Sequence, residues 1–470
     1  MTRWRRRTVR IRAIALVVLV AACSAAATRR SARTTVTFAG DLSQAEGPRP
    51  AAAAKPGAMP GAKPGVMPGA SPGASPGASP RATQRATPRT VRIALARGAS
   101  EARLRSDGEW RFHTLDGTML AETPRAGESW IVSAEGGRVI LRREQETAVA
   151  PGGAWIVARP TAGERTLTFN GRRWRGELWL GVEDGERLLV VNRLTMDDYL
   201  KGVVPLEIGT RAMGDFAAAE AQAVAARSYA YMHLAGPTRR YDMLATVSDQ
   251  VYGGVDAETM LGTQAVDNTS GLVLQYDGRV VNAPYHGNCG GFTAEPGDSW
   301  RTGPEPYLRR VSDQIPGTDR FYCETGPKYR WTRRYTGEEL RQSIVRYLRT
   351  VPRAPVGVEV IRSVAVSDVT PAGRVAALTV ETDRGRWTMR GNEIRSALRT
   401  VSGEMLYSTY FSVDVREGRG AVQSLELRGG GNGHGIGMCQ SGAIGRARAG
   451  QDFRTILTAY YPGTTIGTID

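Results

Sequence analysis

The run KPGAMPGAKPGVMPGASPGASPGASP (Lys55–Pro80) decides where this chain of 470 residues can build a core. Proline removes a backbone donor and fixes φ, glycine is costly to order, and alanine has little apolar surface to bury. A Pro-Gly-Ala repeat of this kind stays extended and flexible, so residues 23–90 read as a disordered linker and the folded part begins near residue 91. At roughly 3.1 Å per residue when extended, about thirty such residues reach some 90 Å.

The segment before the linker reads as a leader. A basic stretch, MTRWRRRTVRIRA, precedes nine apolar residues, IALVVLVAA, and then Cys23. Nine are too few to span a bilayer and suit a secretory signal peptide over residues 1–22. Val20-Ala21-Ala22-Cys23 resembles a bacterial lipobox, whose cysteine is lipidated and becomes the first residue of the mature chain; the plainer alternative is an ordinary signal peptide with a chance cysteine. Either way the mature protein is expected outside the cytoplasm, and in the first case as a membrane-anchored lipoprotein. The formal charge of +16 is less telling than it looks, because six arginines lie in the first twelve residues. With no recognition helix, RNP signature or zinc-finger spacing in the chain, nucleic acid is not an expected partner.

Residues 91–165 alternate apolar and polar in short bursts (TVRIALAR, EWRFHTL, SWIVSAEGGRVILRRE, GAWIVARP) broken by Gly-Gly and Asp-Gly, and they predict a small β domain. Its lone His113 reads as a strand-surface residue. A second β stretch, LTFNGRRWRGELWLGVEDGERLLVVNRL, leads into TMDDYLKGVV, where Thr195 and Asp198 have capping-box spacing, so a helix should start near Met196. Pro205 should end it and leave Glu207 on the following loop. DFAAAEAQAVAARSYAYMHL predicts a strong Ala-rich helix with Glu220, Arg227 and Tyr231 on one face. Beyond it, strands, one charged helix and Gly-rich loops alternate without βαβ regularity, which makes 166–470 an α+β domain with a Gly-rich loop groove.

Four places could carry chemistry. Glu207 sits in KGVVPLEIGT; a carboxylate in apolar surroundings tends to keep its proton, as a general acid near neutral pH must. Gln250 and Tyr252, in SDQVYGG, can hydrogen-bond sugar hydroxyls. YHGNCGGFT holds His286 and Cys289, and GNGHGIGMCQSGA holds His434 and Cys439, with Cys323 isolated between them. Three cysteines remain after Cys23, an odd number. Together with His286 they form a Cys₃His set suited to one closed structural zinc; a Cys289–Cys323 disulfide with Cys439 free is the competing reading. A nucleophilic Cys439 beside His434 lacks a visible orienting acid.

The motifs NRLTMDDYLKGVVPLEI, AEAQAVAARSYAYMHL, SDQVYGG, NTSGLVLQYDGRVVNAPYHGNCGGFT and GHGIGMCQSGA together resemble the SpoIID/LytB (stage II sporulation protein D) family over roughly residues 170–467. The resemblance implies action on peptidoglycan glycan strands, by a lytic transglycosylase that leaves a 1,6-anhydro end, and in some members stimulation of a partner cell-wall amidase. It also implies that Glu207 is the catalytic acid and that Arg227, Gln250, Tyr252 and His434 line the groove; some members of the family carry zinc near the Cys-Gly-Gly motif, with varying ligands. Two departures stand out: Ala217-Ala218-Ala219-Glu220 replaces the usual Glu-Ala-Leu-Lys, and Asp249 stands where a cysteine is common. A hydrolytic glycosidase usually needs two carboxylates. In a lytic transglycosylase the sugar's own 6-hydroxyl attacks, so one suffices. A glycan-binding module that only activates an amidase is the second reading, and it would tolerate loss of Glu207.

The lipobox gives the first prediction. Wild-type protein should partition with membranes and Cys23→Ala should not; equal partitioning of the two would contradict lipidation.

Overall fold

The computed structural model describes residues 33–36 and 89–469, apart from 124–125, 162–164 and 210–211. The leader, Cys23 and the rest of the linker lie outside the described residues. The fold is α+β, as its sequence pattern indicates.

Strands between Thr90 and Thr195 form two sheets. One runs in the order Met243–Leu244, Thr90–Ala99, Arg187–Thr195, Glu177–Glu183, Ile156–Pro160, Trp110–Thr114, Met119–Thr123. The other is built around Glu101–Ser106, Ser129–Glu135 and Arg138–Arg143. Period-two burial in Glu101–Ser106 and Ser129–Glu135 turns one face of each strand inward, where Trp110, Phe112 and Trp130 meet at ring separations of 4.7 and 5.5 Å. The expected division at residue 165 does not coincide with a break in strand pairing. Arg187–Thr195 pairs with Thr90–Ala99, and Glu177–Glu183 with Ile156–Pro160. Both stretches carry apolar alternating faces that need a sheet partner, and each supplies the other's.

The chain then turns helical. Thr195 caps the helix Met196–Lys201, its hydroxyl accepting from the Asp198 N–H at 3.2 Å. Pro205 does not end the helical stretch. It lies in the first turn of a second short helix, Val204–Ile208, where its missing N–H is not needed, so Glu207 sits on a helix rather than a loop. Gly209, at φ +66°, closes that helix in the left-handed region.

The Ala-rich helix Phe216–Met232 is buried along nearly its whole length and packs against Met260–Asn268, Gln440–Arg448 and Phe453–Tyr460. Small side chains permit those close approaches, and Arg227 ties the helix to Met196–Lys201, Met260–Asn268 and the strand Leu272–Tyr276. Its guanidinium, 1 % exposed, meets Asp197 Oδ1 at 2.8 and 3.2 Å and the carbonyls of Leu272 and Val266 at 3.1 and 3.4 Å.

A second core lies beyond residue 330. Strands Arg330–Thr336, Ala421–Gly430 and Phe411–Gly418 form a sheet covered by helix Gly337–Leu348, which starts in a Thr336/Glu339 capping box. A three-stranded sheet, Ile361–Val369, Val375–Thr382 and Gly385–Arg390, completes it. Arg33–Val36, inside the stretch read as linker, adds an antiparallel edge strand to Phe411–Gly418, with Arg33 opposite Arg416 and Val36 opposite Val413.

Since Arg227 holds three elements to the Ala-rich helix, Arg227→Ala should cost on the order of 2–4 kcal/mol in denaturant unfolding, from a lost buried ion pair and the lost bonds to two carbonyls. Unchanged stability would show that the arginine is not a structural tie.

Candidate active site

Glu207 lines a cleft of about 340 Å³. The opposite walls come from far along the chain: Gly287, Thr325–Pro327, Asn432, and Gln440 with Ser441. Its Oε1 accepts the Val251 N–H at 2.7 Å. Burial pushes the carboxyl above the ordinary glutamate range, while the Val251 N–H and the Gln440 amide pull it part of the way back. The source of that burial differs from the sequence expectation. Leu206 is 46 % exposed and Val203 and Val204 point into the core, so loops remote in sequence, rather than the adjoining Val-Pro-Leu, desolvate the acid.

The cleft has a second carboxylate, Asp215, but Arg448 holds it bidentately at 2.7 and 3.1 Å. Glu207 is therefore the acid in the cleft with no cationic partner among the described residues. Asp215, Asn432, Gln440 and Ser441 escaped the sequence reading. Asn432, Gln440 and Ser441 lie in the same GNGHGIGMCQSGA motif that drew attention to His434 and Cys439, whereas Asp215 carried no signal.

The residues expected to line the groove lie elsewhere. Arg227 is the buried tie described above, paired with Asp197 and not Glu220. Gln250 is fully buried; its amide donates to Tyr285 Oη at 2.9 Å and the Ala226 carbonyl at 3.3 Å, and accepts from Tyr199 Oη at 3.0 Å. Tyr252 is buried too, its hydroxyl donating to Asn192 Oδ1 at 2.8 Å. Gln250 still acts on the cleft indirectly, because the next residue, Val251, supplies the N–H on Glu207. His434 stands beside Trp300 and His286, at ring separations of 4.8 and 5.6 Å, with Nδ1 accepting from the Ile436 N–H at 3.1 Å.

The cysteines do come together. The sulfurs of Cys289, Cys323 and Cys439 and a carboxylate oxygen of Asp313 all lie within 4.8 Å of one another, fully buried. His286 is not the fourth member. Its Nδ1 faces the Ile436 carbonyl at 3.2 Å, its Nε2 is buried without a partner, and Asp313 takes the place expected for it. Asp313 is held there by the Tyr460 hydroxyl at 2.7 Å and Arg446 Nε at 3.3 Å. Cys289 and Cys323 sulfurs stand 3.5 Å apart, and the three cysteines are free. A tetrahedron with metal–sulfur bonds of about 2.3 Å has edges near 3.8 Å, so this donor set can hold a metal ion in a closed site.

A family model described as stage II sporulation protein matches residues 184–276, and one described as a domain of unknown function, DUF8618, matches 317–437. An uncharacterized protein of Brachyspira hyodysenteriae is 30 % identical over 303 residues, 64 % of this chain and 74 % of its own length. The stage II sporulation protein D of Bacillus subtilis is 27 % identical over 299 residues, 60 % of this chain and 76 % of its own. The chain belongs to the stage II sporulation protein D family. The amidase enhancer of Bacillus subtilis is 30 % identical over 295 residues, 57 % of this chain but only 40 % of that protein. The family segment 184–276 carries Glu207, Arg227 and Gln250; the Cys/Asp cluster lies wholly outside it. No helix among the described residues is long and apolar enough to cross a membrane.

Purified protein should carry about one metal ion per chain and lose thermal stability on chelation. Recovery of a stoichiometric Cys289–Cys323 disulfide in non-reducing peptide maps would contradict a metal-binding cluster.

Proposed function

We propose that this chain is an extracytoplasmic lytic transglycosylase of peptidoglycan, anchored to a membrane through Cys23, with Glu207 as its general acid and base. The observation that carries the reading is a single uncommitted carboxylate, raised in pKa, in a cleft whose other carboxylate is neutralised by Arg448. Glu207 protonates the glycosidic oxygen between N-acetylmuramic acid and N-acetylglucosamine. The sugar's 6-hydroxyl then closes on the anomeric carbon and returns its proton to Glu207. No second carboxylate is needed to activate water. The Val251 N–H fixes Oε1 as the acceptor oxygen, which leaves Oε2 to carry the proton. A zinc ion in the Cys289, Asp313, Cys323, Cys439 set would have a structural role there, joining the segments behind the cleft.

The Bacillus subtilis relative named an amidase enhancer favours a second reading, in which the cleft holds glycan strands and a partner amidase cuts. Glu207→Gln separates the two. General acid–base assistance is worth typically 10²–10⁴-fold, so anhydromuramyl release should fall by roughly that factor, with folding unchanged because a protonated carboxyl and an amide are alike in charge. An activator of amidase would keep its stimulation. Full release of anhydromuramyl product by folded Glu207→Gln protein would rule the residue out as the acid.

The pH dependence has a definite sign. Glu207 must hold its proton before cleavage, and its pKa is raised, so activity should fall as pH rises through that raised value. The limb should therefore lie above about 4.3, where an exposed glutamate titrates, and a limb at that ordinary value would contradict the desolvated acid.

A further inference from the structure

Arg374, at the start of strand Val375–Thr382, is 2 % exposed, and its Nη1 is buried with no hydrogen-bond partner. Among the described residues no carboxylate pairs with its guanidinium. The nearby acid, Asp298, is engaged in capping its own helix, accepting from the Glu295 N–H at 2.9 Å. The other charged neighbours are of the same sign: Arg310, and the half-buried Arg395, which is hydrogen-bonded to the Leu406 carbonyl at 2.9 Å and Asn392 Oδ1 at 3.0 Å. A guanidinium cannot discharge itself, and leaving its donors unmet in the interior is costly. The nearest candidates for opposite charge to Arg374, the Cys289 thiol of the buried cluster and Asp298, make no hydrogen bond to it, so among the described residues its fork has no acid in contact.

The position is built to receive one. The guanidinium lies against Gly435, whose φ of +85° favours glycine and where a Cβ would come within 2.3 Å of Nη2 and displace the fork. His434, the preceding residue, is held uncharged by burial first and by His286, Arg395 and Arg374 next, so it offers a neutral ring beside the half-buried indole of Trp300. The position shares a backbone strip with one wall of the Glu207 cleft, although none of Arg374, His434, Gly435 and Trp300 lines that cleft. Asn432, in the cleft wall, exchanges backbone hydrogen bonds with Asn288 at 2.7 and 3.0 Å, and Gly435 lies three residues further along the same strip.

We propose that Arg374 binds the carboxylate of an acidic sugar, with Trp300 and His434 against the sugar ring. A single arginine fork matches a monoanionic carboxylate in two parallel hydrogen bonds, and one positive charge balances it. An indole face suits the apolar face of a pyranose. The choice of a muramic sugar rests on the peptidoglycan reading above; the anion site itself does not.

The test is thermal denaturation of the full chain with three probes. N-acetylmuramic acid carries a free lactate carboxylate, N-acetylglucosamine has the same ring without it, and muramyl dipeptide has that carboxylate converted to an amide and one other on its peptide. N-acetylmuramic acid should raise the melting temperature and N-acetylglucosamine should not. Arg374→Met should melt at or above the wild-type temperature without ligand, since an uncompensated buried charge is gone, and should not respond to N-acetylmuramic acid. Arg374→Lys keeps the charge without the fork and should respond more weakly, which serves if the methionine variant does not fold. No shift of wild-type protein with N-acetylmuramic acid, or an undiminished shift in the variants, would overturn the proposal. So would a response to muramyl dipeptide alone, which would place a peptide carboxylate in the site. Binding is read without turnover, so the result stands whether or not Glu207 is the acid.

Discussion

The close approach of two glycine-rich segments, 284–291 and 430–439, is the constraint on which the rest of this molecule depends. Tyr285–His286 runs parallel to Met438–Cys439. Gly437, at φ +70°, passes so near the chain that a Cβ would sit 2.0 Å from the Pro284 carbonyl oxygen. Any side chain there would force the segments apart. Their contact places the Cys439 sulfur 3.2 Å from the Cys289 N–H and sets Gly287 opposite Asn432 in the cleft wall. It also starts the helix Gln440–Arg448 where Gln440 and Ser441 face Glu207. Cleft, cysteine cluster and the Arg374 position are three consequences of one backbone fit.

Beneath the cleft the polar interior acts on one functional atom. Tyr199, Gln250 and Tyr285 form a buried hydrogen-bonded row, and it anchors the strap whose Val251 N–H meets Glu207. Such a row is stabilising only when fully satisfied, and here it also fixes which carboxyl oxygen is the acceptor. The same logic explains Arg227. A residue can be indispensable to a site by holding the helices behind it, without facing the ligand.

What the sequence revealed follows the range of the interactions involved. Thr195 and Asp198 are three residues apart, and the capped helix they announce is present; the Ala-rich helix likewise depends on its own composition. Glu207 stands out in the sequence because a charged residue interrupts an apolar run, and its place in the cleft agrees with that. The cause of its burial was not, because the loops that cover it arrive from residues 287, 325–327, 432 and 440. Pro205 suits the end of a helix and equally a first helical turn, and local sequence does not choose between them. Asp313, 24 residues beyond Cys289, carries no spacing signal, whereas the His-x-x-Cys of His286 and Cys289 does, and tertiary packing chose the acid. Gln250 and Tyr252 have side chains that suit a sugar ligand and a buried network alike, and residue type alone does not distinguish the two.

The central claim is that Glu207 drives an intramolecular displacement, in which water has no part. Digestion of purified peptidoglycan in oxygen-18-labelled water, followed by mass spectrometry of the fragments, tests it most directly. The account predicts 1,6-anhydromuramyl ends with no label. Reducing ends carrying oxygen-18 would make the chain a hydrolase, and intact glycan in the absence of an added amidase would make it a binding protein; either result would contradict the account.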